Sequence, residues 1–258
     1  MTMTKKTRIG YFFANALTVG ALTVLSENAQ SQTVYQNTST FEQNFEIAGS
    51  TLGANGEAGN EVVLVGGAYF NKTALIGSLT SATVQFNLLN SSGGTTGTFT
   101  AGGAGIELNI YEENGGKYGT AGFVAPGTQL YSSGFTTMST LGLTAFTAAQ
   151  SITFTLPGTA VANDFTWSLA FNNVPTTAEA GISLFAGGGV GQNFNDAWVD
   201  TTPTFASTSS ATWTLDQTTS GPGLQFGATL TGTVPEPSTI ALGVMGASAF
   251  LMRLRRKQ

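Results

Sequence analysis

The sequence of 258 residues contains no cysteine and no histidine. Without cysteine, the chain has no disulfide, no thiolate nucleophile and no cysteine-ligated metal site. Without histidine, it has no Ser-His-Asp or Cys-His triad, no histidine-metal site and no general base of the usual kind near neutral pH. These absences exclude the commonest catalytic arrangements. We therefore expect a protein that is not an enzyme and that needs no cofactor.

Charged residues are also few, and they are distributed unevenly along the chain. They make up 9% of the sequence, whereas a typical soluble domain has about 25%. Residues 32–233, which we call the body, hold 12 of the 14 acids but only two of the nine cations, Lys72 and Lys117, so the body carries a net charge of −10. Such a body repels nucleic acid and anionic lipid, and we expect no nucleic-acid partner.

The N-terminal segment has the three parts of a secretory signal peptide. A positive n-region precedes the apolar stretch Ile9–Leu25, and Ala29 and Ser31 supply small residues at the −3 and −1 positions. We expect residues 1–31 to form a signal helix that is removed by cleavage after Ser31, with cleavage after Ala29 as an alternative. A permanent N-terminal anchor or a buried helix is the other interpretation. The cations of the n-region are Lys5, Lys6 and Arg8.

Residues 234–258 combine a proline-rich motif, a short apolar stretch and a basic cluster. The 13 residues of Ile240–Met252 are uncharged and span about 20 Å as a helix, against a hydrocarbon core of about 30 Å. With flanking residues, we expect a marginal transmembrane helix over residues 238–254 and the basic cluster on the cytoplasmic side. A basic amphipathic surface helix fits poorly, because the charges follow the apolar stretch. The motif is Val234, Pro235, Glu236, Pro237 and Ser238, and the basic cluster is Arg253, Arg255, Arg256 and Lys257.

This order of motif, apolar stretch and arginine cluster resembles the PEP-CTERM sorting signal. The resemblance covers about the last 25 residues. It implies that a membrane-embedded exosortase of a Gram-negative bacterium recognises the tail, cuts near the motif and releases or transfers the body. It also implies the secretion machinery as a partner and the extracellular matrix as a destination. We therefore expect an inner-membrane-anchored precursor with its body in the periplasm, and then a mature protein at the cell surface or outside the cell.

The body has the sequence pattern of many short strands. Apolar residues recur with period two, and glycine-rich or Pro-Gly turns separate the runs. No stretch of the body has a convincing helical period. We predict an all-β fold, an antiparallel β-sandwich of the jelly-roll kind over residues 32–233. The clearest alternating runs are Val84, Phe86 and Leu88; Ile106, Leu108 and Ile110; Ile152, Phe154 and Leu156; and Phe165, Trp167, Leu169 and Phe171.

Three local assignments follow from the same patterns. We predict an initial strand around Thr40–Ile47, followed by a loop that extends to Gly59. The short continuous run Glu61–Val65 suits a fully buried strand. Pro157 and Gly158 predict a turn.

The body also resembles the ectodomains called choice-of-anchor domains, which occur on different bacterial surface anchors. The resemblance is patchy between Val34 and Leu230. It implies no established activity for the body. The segments that carry it are Gly59-Asn60-Glu61, Ala125–Tyr131, Asn163–Trp167 and Asn193–Trp198.

Candidate sites in the body are of three kinds. Oxygen ligands on a loop after a glycine run could hold Ca²⁺, although Asx turns that cap strand ends explain them as well. Trp198 is the best candidate for a platform on which a sugar ring stacks. Glu112 and Glu113 are either a carboxylate pair or, as we expect, a solvated hairpin tip. The calcium candidates are Asn193, Asn195, Asp196 and Asp200.

Two classes of function remain open after these observations. The first is a non-catalytic surface or matrix protein that is displayed by its sorting tail. The second is a carbohydrate-binding module that recognises exopolysaccharide. A secreted glycosidase is a distant third, because a single sandwich domain with two adjacent carboxylates rarely suffices and fold does not fix function.

Overall fold

A computed structural model of the protein describes residues 31–65, 75–118, 123–187, 189–194, 196–200, 213–217 and 223–233. These residues form sixteen β-strands and no helix. The all-β prediction is therefore confirmed for this part of the chain. None of these residues forms a helix of the length and hydropathy that a membrane span requires. The expected signal helix and transmembrane helix both lie outside the described residues.

The strands are numbered in chain order. The first eight are β1 (Gln32–Asn37), β2 (Phe41–Gly49), β3 (Gly56–Val63), β4 (Leu75–Asn90), β5 (Gly105–Tyr111), β6 (Lys117–Tyr118), β7 (Phe123–Val124) and β8 (Gln129–Ser132). The remaining eight are β9 (Thr136–Thr137), β10 (Thr147–Ala162), β11 (Asp164–Asn172), β12 (Ala178–Phe185), β13 (Gln192–Asn193), β14 (Asp196–Asp200), β15 (Thr214–Gln217) and β16 (Ala228–Thr233).

These strands pair into two large antiparallel sheets and one small hairpin. The first sheet has the order β1-β16-β4-β12-β2, with β10 on the other side of β4. The second has the order β15-β14-β3-β11-β5-β8, and it also contains β13 beside β3 and β9 beside β5. Strands β6 and β7 form the hairpin. Because β1 pairs with β16, the first and last strands of the body lie side by side in the first sheet.

Large apolar side chains of the two sheets meet in a common core. Phe86 of β4 lies with its ring centroid 6.5 Å from that of Phe171 in β11, and Trp167 of β11 lies 6.3 Å from Phe226. Three of the four alternating runs are fully buried, and in the fourth only Ile152 is half-buried. Period two thus identified the core faces of β4, β5, β10 and β11.

A loop does follow β2 at residues 50–55, but the prediction that it extends to Gly59 is wrong. Strand β3 begins at Gly56, and all eight of its residues are buried. Glycine is needed at position 56 for close packing, because a Cβ there would lie 2.3 Å from the carbonyl oxygen of Ile47. The sequence pattern also missed β1, whereas the predicted strand at Thr40–Ile47 corresponds to β2. Val65, the last residue of the predicted buried run, is 39% exposed.

The turn predicted at Pro157 and Gly158 is a β-bulge inside β10 instead. The pairing of β10 with β4 shifts its register between Thr155 and Thr159 and then continues. Gly158 has a φ of +84°, the left-handed backbone conformation that glycine accommodates best. Among the described residues, β10 pairs with β4 alone. A proline and a bulge at such a strand fit the preference of both features for sheet edges.

Candidate functional site

The second sheet buries polar side chains on the face that points away from the common core. In β11, Trp167 and its alternating partners point to the core, while Asp164, Thr166 and Ser168 point the other way and are also buried. A half-buried antiparallel sheet would expose such residues to water. The outer face of this sheet therefore forms a second, polar interior, and we take it as the candidate functional site.

Glu57 of β3 lies at the centre of this polar interior and is 3% exposed. Its Oε1 atom accepts hydrogen bonds from Asn109 Nδ2 at 2.9 Å, from the Tyr111 hydroxyl at 3.0 Å and from the Ser168 hydroxyl. Gln129 Nε2 donates to Asn109 Oδ1 at 2.8 Å and so holds that amide in place. The donors to Glu57 come from β5 and β11, and Gln129 adds β8 through Asn109, so this network joins β3, β5, β8 and β11.

The electrostatics of the site favour protonated carboxyl groups. Burial raises the pKa of Glu57, and the hydrogen bonds from its three donors only partly oppose this effect. Burial also raises the pKa of Glu107, whose Oε1 atom accepts a hydrogen bond from the Ser132 hydroxyl. The pKa of Tyr111 is raised by burial and then by the negative charge of Glu57. Lys117 is the one cation among the described residues, so the cluster is acidic with little positive charge to balance it.

Aromatic side chains occupy the other half of the same face. The ring of Tyr111 contacts Trp213 edge-on at 5.5 Å, and Tyr118 of β6 contacts Trp198 edge-on at 5.7 Å. Phe123 of β7 packs against the cluster formed by Tyr111, Trp198, Trp213 and Leu215. The β6–β7 hairpin thus covers the aromatic half of the face.

Trp198, the candidate sugar platform, lies inside this aromatic cluster. It is 1% exposed, and its ring packs against Tyr118. A platform needs one open ring face, and burial leaves none here. A sugar would reach this ring only if the hairpin moved away. Tyr118 itself is 40% exposed and is the aromatic side chain that the cluster presents to solvent.

The calcium candidates do not converge on one point. Asp196 and Asp200 lie on the same face of β14 but four residues apart, which corresponds to about 13 Å along a strand. One ion cannot bind two carboxylates at that separation. Asn195 lies outside the described residues. Within the described ranges, no three acidic side chains cluster in a way that could hold a metal ion.

The hairpin tip expected at Glu112 and Glu113 is only partly solvated. Glu113 is 2% exposed and accepts a hydrogen bond from the Thr166 hydroxyl of β11. Asn114 closes the adjoining loop, because its Nδ2 atom donates to Glu112 Oε2 at 2.9 Å and its Oδ1 atom accepts from the Thr128 amide at 2.7 Å. Glu113 therefore contributes to the polar interior, which the sequence pattern did not indicate, whereas the half-buried Glu112 bonds to the adjoining loop.

The sequence pattern did not show that these polar residues are buried, and the reason differs between them. Glu107, Asn109 and Tyr111 alternate with the apolar run of β5, so the pattern did place them on one opposite face. Glu57 lay in a segment that was predicted to be a loop. The sequence signal that points to this cluster is the set of polar residues opposite two apolar runs, on β5 and β11. The other candidates, which are Ala29, the tail motif and the basic cluster, lie outside the described residues, and Ser31 is the first residue described.

The raised pKa values predict that acidification stabilises the body. A carboxyl group whose pKa is higher in the folded state contributes stability below its unfolded pKa, and this contribution is lost as pH rises through the folded pKa. For Glu57 the loss begins above the ordinary pKa of 4.5. Thermal melts between about pH 7 and pH 5 should therefore show a higher Tm at lower pH. Glu107 and Asp196, whose pKa values are also raised, act in the same direction.

Glu57→Gln tests this prediction directly. It keeps an acceptor oxygen for Asn109, Tyr111 and Ser168 but removes the titrating group. The variant should lose part of the pH dependence of Tm, and Glu107→Gln should lose a further part. A pH dependence that is equal in Glu57→Gln and the original protein would show that this carboxyl group does not titrate as its burial requires.

A scan against protein-family models, a search of curated proteins and a search of solved structures each found no match to this chain.

Proposed function

We propose that this protein is an exported, non-catalytic surface or extracellular-matrix protein whose PEP-CTERM tail is processed by an exosortase. The observation that carries the proposal is the order of three features in the sequence: Pro235-Glu236-Pro237, the apolar stretch Ile240–Met252 and the basic cluster after it. We also propose that the two large sheets form a β-sandwich of the jelly-roll kind. The precursor would sit in the inner membrane with its body in the periplasm.

The chemistry of the tail agrees with its proposed role. Pro235 and Pro237 keep the segment extended, because proline fixes φ and disfavours helix in the residue before it. An extended and accessible segment is what a processing enzyme needs, and Glu236 gives it a charged recognition group. The arginines and the lysine resist translocation across the membrane.

The polar interior supports a non-catalytic body. Glu57 and Glu107 are two glutamates of this interior whose pKa values are raised by burial. A general acid must come within hydrogen-bond reach of its substrate. The Oε1 atom of Glu57 accepts hydrogen bonds from three protein donors, and the side chain is almost fully buried. A carboxyl group that is buried and hydrogen-bonded in this way links strands and is not accessible to a dissolved substrate.

The proposal predicts that Glu236→Ala inserts into the membrane normally but is not processed. The variant keeps the apolar stretch and the basic cluster, so retention is unchanged while recognition is lost. Immunoblots of inner-membrane and outer fractions would show only the larger precursor. Glu42→Ala, the same change at an exposed acid of β2, is the control and should mature normally. If Glu236→Ala matures like the original chain, the tail is an ordinary anchor and the proposal is wrong.

The second candidate is a carbohydrate-binding module for exopolysaccharide. One observation favours it, namely the exposed ring of Tyr118 above the buried ring of Trp198. Tyrosine presents an apolar ring face and a hydroxyl group, both of which a sugar ring can contact. A glycan array separates the two candidates, because only the second requires specific binding by the body.

A further inference from the structure

Polar side chains, all but one of which carry a hydroxyl group, form two rows across the outer face of the first sheet. Each row crosses four strands in the order β1, β16, β4 and β10, and each consists of register partners. Within the rows, the Ser81 hydroxyl bonds to that of Thr231 at 2.5 Å and the Thr83 hydroxyl to that of Thr153 at 2.8 Å. The first row is Thr33, Thr231, Ser81 and Thr155, and the second is Gln36, Thr229, Thr83 and Thr153.

Both rows end at β10, whose outward edge pairs with no strand among the described residues and contacts Tyr131 of β8. The Tyr131 hydroxyl donates to the Thr155 carbonyl oxygen at 3.2 Å, so this carbonyl points away from β4. In an antiparallel strand the N–H and C=O of one residue point to the same side, and the side alternates with each residue. The backbone groups of Ser151 and Thr153 therefore point outward as well. The regular pairing of Gln150–Thr155 with β4 leaves the outward backbone groups of Ser151 and Thr153 without a strand partner among the described residues, while the Thr155 carbonyl accepts one hydrogen bond from Tyr131.

This edge lacks the features that usually prevent strands from pairing between molecules. Charged side chains, proline and bulges are the common means of protection. Strand β10 has Pro157 and the bulge at its C-terminal half, but Gln150–Thr155 contains none of these. The whole of β10 is uncharged, whereas the described residues contain twelve acids and one cation. Two copies of this acidic chain repel each other elsewhere, so an uncharged strand is the place where they can approach.

We propose that β10 pairs with β10 of a second copy in an antiparallel, two-fold arrangement centred on Thr153. Opposite residues of an antiparallel pair lie on the same face, so the two-fold axis must pass through a residue and not between two residues. Centring on Thr153 places its outward N–H and C=O opposite those of the second copy. Ser151 then faces Thr155 of that copy, and Ile152 faces Phe154 on the core side. The Thr155 carbonyl has two lone pairs, so it can accept from the Ser151 amide of the second copy in addition to the Tyr131 hydroxyl.

In the proposed β10–β10 pair, the backbone hydrogen bonds of the first sheet continue from one copy into the other. The second hydroxyl row would run through Thr229, Thr83 and Thr153 and on through the same three residues of the other copy in reverse order. Threonine pairs of this kind stabilise neighbouring strands. The inference concerns the body alone and goes beyond the proposed sorting role, so it stands or falls independently of the tail.

Disulfide trapping in the full-length chain tests the proposal, because the protein has no cysteine of its own. In Thr153→Cys the two new thiols lie opposite each other, with Cα atoms about 5.5 Å apart, a separation that suits a disulfide. Mild oxidation of this full-length variant should give a covalent dimer as the main product on non-reducing gels. Thr155→Cys is the matched control: it is exposed on the same strand and face, but its two copies lie about 13 Å apart and should stay monomeric.

A mixture of Ser151→Cys and Thr155→Cys chains tests the register. These two positions face each other, so co-expressed chains should form a mixed dimer that neither variant forms alone. In addition, Thr153→Lys should weaken association of the uncrosslinked protein by roughly five- to ten-fold, because two like charges then lie opposite each other. Thr229→Lys, at the same level but two strands inward, should leave association unchanged.

Three outcomes would overturn the proposal. Absence of the Thr153→Cys dimer would show that the edge does not pair with itself. Equal dimer yields from Thr153→Cys and Thr155→Cys would indicate random collision. A crosslinked band whose mass shows a different protein would assign the edge to another partner.

Discussion

Replacing Trp167 with alanine should destabilise the body by about 3–5 kcal/mol. The Trp167 side chain is 0% exposed and lies between the two large sheets, where its ring meets Phe226 at 6.3 Å. Alanine would leave a cavity lined by atoms of both sheets, and the loss is large against a total stability of about 5–15 kcal/mol. Urea unfolding followed by circular dichroism measures it.

Trp167→Phe is the control for this prediction. The Trp167 Nε1 atom is buried without an acceptor among the described residues, so phenylalanine removes no hydrogen bond and retains most of the apolar volume. We expect a cost below about 2 kcal/mol. A loss below about 1 kcal/mol in Trp167→Ala, or a spectrum with substantial helix, would contradict the assignment of Trp167 to a β core.

The core of the fold was predictable because it depends on a local property of the sequence. Alternate side chains of a strand point to opposite faces, so the run at Phe165–Phe171 identifies its buried face without knowledge of its neighbours. The same rule placed Phe86 and Leu108 correctly. These side chains are large and apolar, and a face that carries them is buried in nearly any antiparallel arrangement.

The polar interior was not predictable because it depends on what covers the other face. Ser168 and Asn109 were placed opposite the apolar runs, but a sequence pattern does not show whether such a face meets water or another segment. Here the aromatic half of the face is covered by the hairpin that carries Tyr118 and Phe123. Trp198 is buried for the same reason, although the sequence made it the best candidate for a platform on which a sugar ring stacks.

Gly59 is the residue at which the sequence pattern and the structure differ most, and Gly59→Ala should prevent stable folding. Gly59 lies in β3 opposite Ser168 of β11 and Trp198 of β14. A Cβ at this position would lie 2.2 Å from the carbonyl oxygen of Trp167 and 2.7 Å from the Cβ of Ser168. The nearest obstacle is backbone, which a change of side-chain rotamer cannot relieve.

The Gly59→Ala substitution therefore forces β3 away from β11 or distorts both strands. Overpacking in a well-packed interior costs about 1–3 kcal/mol, and a clash with paired backbone should lie at or above the upper end. Loss of the β3–β11 pairing would also separate Glu57 from Ser168. We expect a loss of at least about 3 kcal/mol in urea unfolding, or failure to accumulate as folded protein.

Gly116→Ala is the matched control for Gly59→Ala. Nothing lies within 4 Å of a Cβ built on Gly116, and its φ is not in the left-handed region. Alanine there should be neutral or should stabilise the body by about 0.4–1 kcal/mol, because it restricts the unfolded chain. Equal stability of the two variants would mean that β3 and β11 do not approach as closely as the structure shows. Gly59 would then belong to the loop that its sequence neighbours suggest, and the central pairing of the second sheet would have to be reassigned.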